Sequence, residues 1–130
     1  METEEIGKII LHAAIEVHSA LGPGLLESAY QHCLAYELRE NGLDVQTEMT
    51  LPIKYKSVDI DAGYRLDMLV AERVIIENKA VEQILPINEA QLLTYLKLKQ
   101  LYLGYLINWN VPRVKQGIKR IVNGYSERSD

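Results

Sequence analysis

The sequence predicts a single α/β domain, layered in the α+β manner, with helices covering a mixed sheet of about four to five strands. Three observations lead there. Apolar residues recur at helical spacing through the first forty residues, and from Val45 to Val81 the pattern changes to alternation and short apolar runs. Helical and strand signals then alternate again to the end. With 130 residues and no linker, repeat or low-complexity tract, residues 1–130 read as one domain. A chain of this size buries roughly two-thirds of the surface its unfolded form exposes, enough for a core without staples.

Ile6, Ile9, Ile10, Ala13, Val17 and Leu21 define a first helix, stopped by Gly22-Pro23-Gly24. Leu26, Ala29, Tyr30, Cys33 and Leu34 form the buried side of a second, which Asn41-Gly42 terminates. Ile53–Ile60, Tyr64–Val70 and Val74–Ala80 read as strands separated by Asp61-Ala62-Gly63 and Ala71-Glu72-Arg73, and Val45–Leu51 adds an edge strand before Pro52. Asn88 caps a third helix running to about Gln100. Tyr102–Trp109 is an apolar strand. Asn110 and Pro112 open a last helix, with Val111, Val114, Ile118, Ile121 and Val122 inward and Arg113, Lys115, Lys119 and Arg120 largely outward. The expected order is α-α-β-β-β-β-α-β-α.

The composition excludes several classes. No apolar run approaches the ~18 residues that span a membrane. The acidic start, Met1-Glu2-Thr3-Glu4-Glu5, is unlike a secretory signal, and a lone Cys33 rules out a disulfide framework or a cysteine-rich zinc site. A cytoplasmic location is the expectation. The net charge of −4 hides an asymmetry: residues 1–89 balance to −9, whereas residues 90–126 carry six Lys/Arg and no acid. Such a stretch holds a phosphate backbone if it lies on one surface, and is otherwise a solvated basic face. No glycine-rich nucleotide loop is present.

Chemistry concentrates in Tyr64–Lys79. Side chains alternate across a strand, so Glu77 and Lys79 share one face while Ile76 and Asn78 share the other. A hairpin centred near Glu72 places Asp67 opposite Glu77 and Arg65 opposite Lys79. Two facing carboxylates repel. A divalent cation between them removes that cost, and oxygen ligands suit Mg²⁺ or Mn²⁺. Lys79 on the same face would then assist a water or stabilise charge on a phosphate. Charged alternation is also how a solvated strand looks, with Arg65 and Lys79 simply neutralising the acids.

Two helical signals bear on this choice. Glu27 and Tyr30 share a face of the second helix, although the helix dipole alone favours a Glu in a first turn. Gln91 and Tyr95 stand one turn apart on the third helix, and Gln91, three after Asn88, also suits a capping box. Among the remaining residues, His18 lies nearest the glycine loop, His32 reads as a surface residue, Cys33 as a small buried hydrophobe and Trp109 as a packing anchor.

Taken together, Gly24-x-x-Glu27-x-x-Tyr30, Arg65-x-Asp67, Glu77-x-Lys79-Ala80-Val81, Glu89–Tyr95 and Asn108-x-Asn110-Val111-Pro112 resemble the GxxExxY family of small prokaryotic proteins, within the PD-(D/E)XK nuclease superfamily. The resemblance runs from about Ile6 to Asn123. It implies a restriction-endonuclease-like core, and its order of acids followed by Gln-x-x-x-Tyr is most similar to the RecB-like branch. By position it makes Glu27, Asp67 and Glu77 metal ligands for Mg²⁺ or Mn²⁺ and Lys79 the catalytic lysine. Gln91 and Tyr95 would position water or phosphate. Lys97, Lys99, Arg113, Lys115, Lys119 and Arg120 are candidates for contacts with a DNA or RNA backbone. One departure stands out: Asn78 replaces the usual apolar residue between Glu and Lys. On a buried face it must find partners or cost about 1–3 kcal/mol; alternatively it marks a surface open to a partner chain.

The expected activity is metal-dependent phosphodiester hydrolysis. The alternative is a catalytically inactive, nuclease-like module that binds nucleic acid or a partner protein, suggested by the lack of any chain beyond the core for substrate selection. Exposed strand edges on so small a core add a homodimer to the expectations.

Overall fold

The computed structural model describes residues 1–124. Two helices open it, α1 (Thr3–Leu21) and α2 (Glu27–Glu40). Strand β1 (Val45–Thr50) follows, then the short β2 (Ile53–Tyr55) and β3 (Val58–Ile60), and then β4 (Arg65–Val70) and β5 (Val74–Lys79). Helix α3 (Pro86–Lys99) leads to β6 (Leu103–Asn108), a 3₁₀ turn (Val114–Gly117) and β7 (Ile118–Val122). The main sheet has the order β1-β4-β5-β6-β7, antiparallel except for the central β5–β6 pair. A parallel pair needs a crossover, and α3 supplies it.

The sheet is covered on both faces. Ile6, Ile10, Ala13 and Val17 of α1, with Tyr30, Leu34 and Leu38 of α2, pack against Met68, Val70, Val74, Ile76, Tyr105 and Ile107. On the other face, Leu92, Tyr95 and Leu96 of α3 close over Leu51, Leu66, Leu69, Ile75 and Leu106. The central strands β5 and β6 are therefore buried along almost their whole length, as their near-continuous apolar runs require.

Three sequence expectations need correcting. The last helix is instead the 3₁₀ turn followed by β7, whose pairing with β6 matches Leu103 with Val122 and Ile107 with Ile118. Its residues are mainly β-branched, and β6 would otherwise leave a row of backbone groups without partners. Gly117 admits the chain at this point, since a Cβ there would lie only 2.1 Å from the Asn108 carbonyl oxygen. Ile53–Ile60 is likewise not one strand. It folds back at Lys56 and Ser57, both at positive φ, into a separate two-stranded ribbon, because β4 already takes β1 as its neighbour. Finally, α3 starts at Pro86 with Leu85 as its cap; Asn88 sits at the third helical position, where its Oδ1 accepts from the Leu85 N–H at 2.9 Å.

Candidate active site

The β4–β5 hairpin has the register centred on Glu72: Val70 pairs with Val74, Leu69 with Ile75 and Met68 with Ile76. There the backbone ladder stops, and side chains take over. The Asp67 N–H donates to Glu77 Oε2 at 2.9 Å, and the Asn78 N–H donates to Asp67 Oδ2 at 2.8 Å. Each carboxylate thus occupies a place in the sheet that a carbonyl would normally fill. Beyond this point the strands part company. Arg65 does not face Lys79; it pairs with Thr50 and donates to its Oγ1 at 2.9 Å, while Lys79 pairs with Asn108.

The same level of β1 is irregular too. The β1–β4 pairs run from Val45↔Val70 to Thr47↔Met68 and resume at Met49↔Leu66, omitting Glu48 opposite Asp67. Glu48 has φ +53°, a left-handed conformation that costs a non-glycine residue about 1–2 kcal/mol. Both strands change faces here. Val45 and Met68 pack toward α1 and α2, whereas Met49 and Leu66 pack toward α3. Regular pleating would keep each of these pairs on one face.

Glu27 reaches the site from the first turn of α2, its Oε1 accepting from the Ala80 N–H at 3.2 Å, just past Lys79. The Gly24-x-x-Glu27-x-x-Tyr30 motif builds this approach. Gly24 has φ +104°, which only glycine takes at little cost. The Tyr30 hydroxyl donates to the Gly22 carbonyl at 2.5 Å and accepts from the Leu25 N–H at 3.1 Å, tying the loop to α2. Its ring lies flat on Trp109, centroids 4.8 Å apart and planes within 4°.

The electrostatics identify one connected site. Burial, chiefly, raises Glu77 from the ordinary 4.5 to about 8; Asp67 adds to the rise, and the Asp67 N–H and Lys79 oppose it. Asp67 is also raised, first by burial and then by Glu48 and Glu27, against the Asn78 N–H and Lys79. From α3, Tyr95 is pushed up to about 12 by burial, then by Glu77, Tyr64 and Asp67. Tyr95 and Gln91 line a groove of about 560 Å³ with Ile53, Tyr64, Ile87 and Thr94, and the Tyr95 and Tyr64 rings meet edge-on at 6.2 Å.

The structure therefore brings Glu27, Asp67, Glu77 and Lys79 together, with Tyr95 beside them and Gln91 along the adjoining groove. It does not gather the basic residues into one surface. Lys119 and Arg120 lie on opposite faces of β7, Lys119 bonded to Glu89 of α3 at 3.1 Å and Arg120 to Glu4 of α1 at 2.8 Å. Lys115 lines one groove with Arg113, His18 and Gly22 and another with Arg120, while Lys97 and Lys99 occupy the last turn of α3. His18 is committed elsewhere, its Nε2 lying 3.1 Å from the Trp109 carbonyl oxygen. Glu48 is the residue that sequence reasoning missed. Its one advance signal was Gln31, a helical turn after Glu27 on the same face, which donates to Glu48 Oε2 at 2.9 Å.

Residues 4–121 match the PD-(D/E)XK nuclease superfamily, and the chain belongs to it. No curated protein and no solved structure matches the chain significantly. The superfamily's nucleases generally use divalent metal ions. The donor chemistry here suits such an ion, since buried carboxylate oxygens repel one another at the centre of the site. Among the described residues, however, no three His, Cys, Asp or Glu side chains close on one point as a finished cage. Asp67, Glu77, Glu27 and Glu48 each rest on a protein N–H donor.

Proposed function

We propose that this chain is a metal-dependent nuclease, similar to the GxxExxY family and to the RecB-like branch of its superfamily, that hydrolyses phosphodiester bonds in DNA or RNA. The observation that carries this reading is the break in the β4–β5 pairing at Asp67 and Glu77, where a half-buried and a buried carboxylate replace backbone pairing with Lys79 beside them. Glu27, Asp67 and Glu77 would hold Mg²⁺ or Mn²⁺. When bound, such an ion supplies Lewis acidity toward a phosphate and lowers the pKa of water.

The chain's own residues do the rest. Asp67 and Glu77 present oxygens from a rigid sheet, so little reorganisation accompanies the reaction. Lys79 places a cation beside both acids, where it orients an attacking water and offsets charge on the phosphate. Tyr95 offers a hydroxyl that stays protonated at neutral pH, a donor to a phosphate oxygen, and Gln91 offers an amide in the groove where the nucleic acid would run. Glu27 draws the start of α2 against the end of β5, completing the acidic side.

A second reading has one observation in its favour: every acid already takes a hydrogen bond from the protein, as in a module that keeps the scaffold and only binds. Calorimetric titration of Mn²⁺ into the protein and into Asp67→Asn, followed by a screen of labelled DNA and RNA strands, separates the two. Saturable binding lost in the variant, with cleavage by the parent alone, is the expected result. Absence of metal binding and cleavage, with an oligonucleotide still held by the protein, would favour the binding module instead.

A further inference from the structure

The break at Glu48 has a support that runs through the core. Trp109, fully buried, donates its indole N–H to Asn78 Oδ1 at 2.9 Å. Asn78 Nδ2 donates to Gln31 Oε1 at 3.2 Å, with Met68 Sδ at 3.3 Å as a second neighbour. Gln31 Nε2 then donates to Glu48 Oε2 at 2.9 Å. The chain has only one possible direction. An indole nitrogen is donor only, so it must meet the oxygen of Asn78, which turns the Asn78 amide nitrogen toward the oxygen of Gln31 and the Gln31 nitrogen outward. Only an acceptor can end such a chain, and the carboxylate of Glu48 does.

We propose that Glu48 is a fourth carboxylate of the cation site and that Gln31 and Asn78 are its positioning residues; this rests on the metal-dependent reading above. Three features converge on it. Glu48 occupies the β1 position opposite Asp67, extending across the sheet the acid line that Asp67 and Glu77 begin. It holds a left-handed backbone in mid-strand, which Gly would satisfy more cheaply, so a side chain is retained at a strained position. Two buried amides, Asn78 at 1% and Gln31 at 8% exposure, direct their final donor at this carboxylate. The polar Asn78 between Glu77 and Lys79 also gains a purpose. Its side chain bonds both the indole and the amide that grips Glu48, while its backbone N–H holds Asp67.

The test is Mn²⁺ affinity by calorimetry, alongside the thermal midpoint in chelator, for the parent, Asp67→Asn, Glu48→Gln, Glu48→Gly and Gln31→Met. Glu48 is exposed, so its variants should fold. The expected result is at least a ten-fold loss of affinity in both Glu48 variants and a smaller loss in Gln31→Met, with the Glu48→Gly midpoint held or raised because strain is relieved. Binding that Asp67→Asn abolishes but both Glu48 variants leave at the parental affinity overturns the assignment of Glu48 while the metal reading stands. No binding by the parent overturns both. Equal affinity losses in Glu48→Gly and Gln31→Met, matched by equal falls in midpoint, would mark Glu48 as structural and also overturn the proposal.

Discussion

The strip formed by β1, β4 and β5 has two unlike ends. At the end near the Ala71-Glu72-Arg73 turn, Val45, Met68–Val70 and Val74–Ile76 pair residue for residue and are buried. At the other end the β1–β4 and β4–β5 pairing lapses at Glu48, Asp67 and Glu77, β1 and β4 change faces, Asp67 and Glu77 accept from backbone N–H groups, and Glu48 accepts from the Gln31 amide. The first end is what packing favours. The second sets a buried carboxyl beside a half-buried one and holds a left-handed glutamate, features that stability alone would remove. A rigid half-sheet next to a strained one is how a small domain holds repelling groups in fixed positions.

The largest effect should come from breaking the strained end. Asp67→Asn keeps the shape and the Asn78 contact but removes the charge, and cleavage should fall on the order of 10³-fold, near the upper end of what losing one preorganised electrostatic group costs. Its thermal midpoint should stay close to the parent's. A collapse of the midpoint together with activity would mean that Asp67 serves the fold. The matching change at the regular end is Ile76→Ala. It should cost about 2–5 kcal/mol in urea unfolding, because Ile76 is fully buried where β5 meets the helix pair. Its Mn²⁺ affinity, measured under folding conditions, should hardly move.

How far the sequence reveals these two ends differs for physical reasons. The regular end was legible: the turn residues and the apolar runs around Glu72 set the hairpin register, and the observed pairs obey it. Asp67, Glu77 and Lys79 were legible as residue types at fixed spacing on a hairpin, whereas Glu27 was legible only through the resemblance its motif carries. Glu48 was not, because a Glu among Val45, Thr47 and Met49 looks like the solvent face of an alternating strand, and the change of face there depends on contacts made by Asp67 and Gln31. The last strand was misread for a related reason. Val114, Ile118, Ile121 and Val122 keep helical spacing, but the open edge of β6 and the close pass at Gly117 decide in favour of a strand. Asn78 shows the opposite case. A buried amide needed partners, and it has Trp109, Gln31 and Met68.

A pH titration sharpens the comparison without mutation. Burial and Asp67 raise Glu77 from the ordinary 4.5 to about 8. Below about 4.5 both folded and unfolded chains hold this proton; between there and about 8 only the folded chain does. Stability should therefore fall as pH rises through that window, by a few kcal/mol at most, and level off above it. Thermal midpoints in chelator should show the decline. Mn²⁺ should flatten it, because a cation offsets the charge that ionisation creates. Asp67→Asn should narrow the window, since the neighbouring charge is one cause of the raised pKa. A flat profile in chelator would mean that burial and Asp67 do not raise Glu77.

The smallest effect tests how the glycine loop serves the strained end. Tyr30→Phe keeps the ring stacked on Trp109 but removes the hydroxyl that joins the Gly22 carbonyl to the Leu25 N–H. Losing these bonds, made by a buried tyrosine to loop groups that water can reach, should cost about 1 kcal/mol, a small shift in the urea midpoint. The loop also sets where α2 begins, and with it the distance from Glu27 to the end of β5. Mn²⁺ affinity should therefore drop several-fold in Tyr30→Phe even where the protein is fully folded, and Glu27→Gln should show a larger drop with no change in stability. If Tyr30→Phe lowers stability yet leaves affinity untouched, the motif's tyrosine belongs to packing alone. Its glutamate would then owe its position to the helix and the Ala80 N–H, and the regular part of the fold would extend closer to the acids than the loop geometry implies.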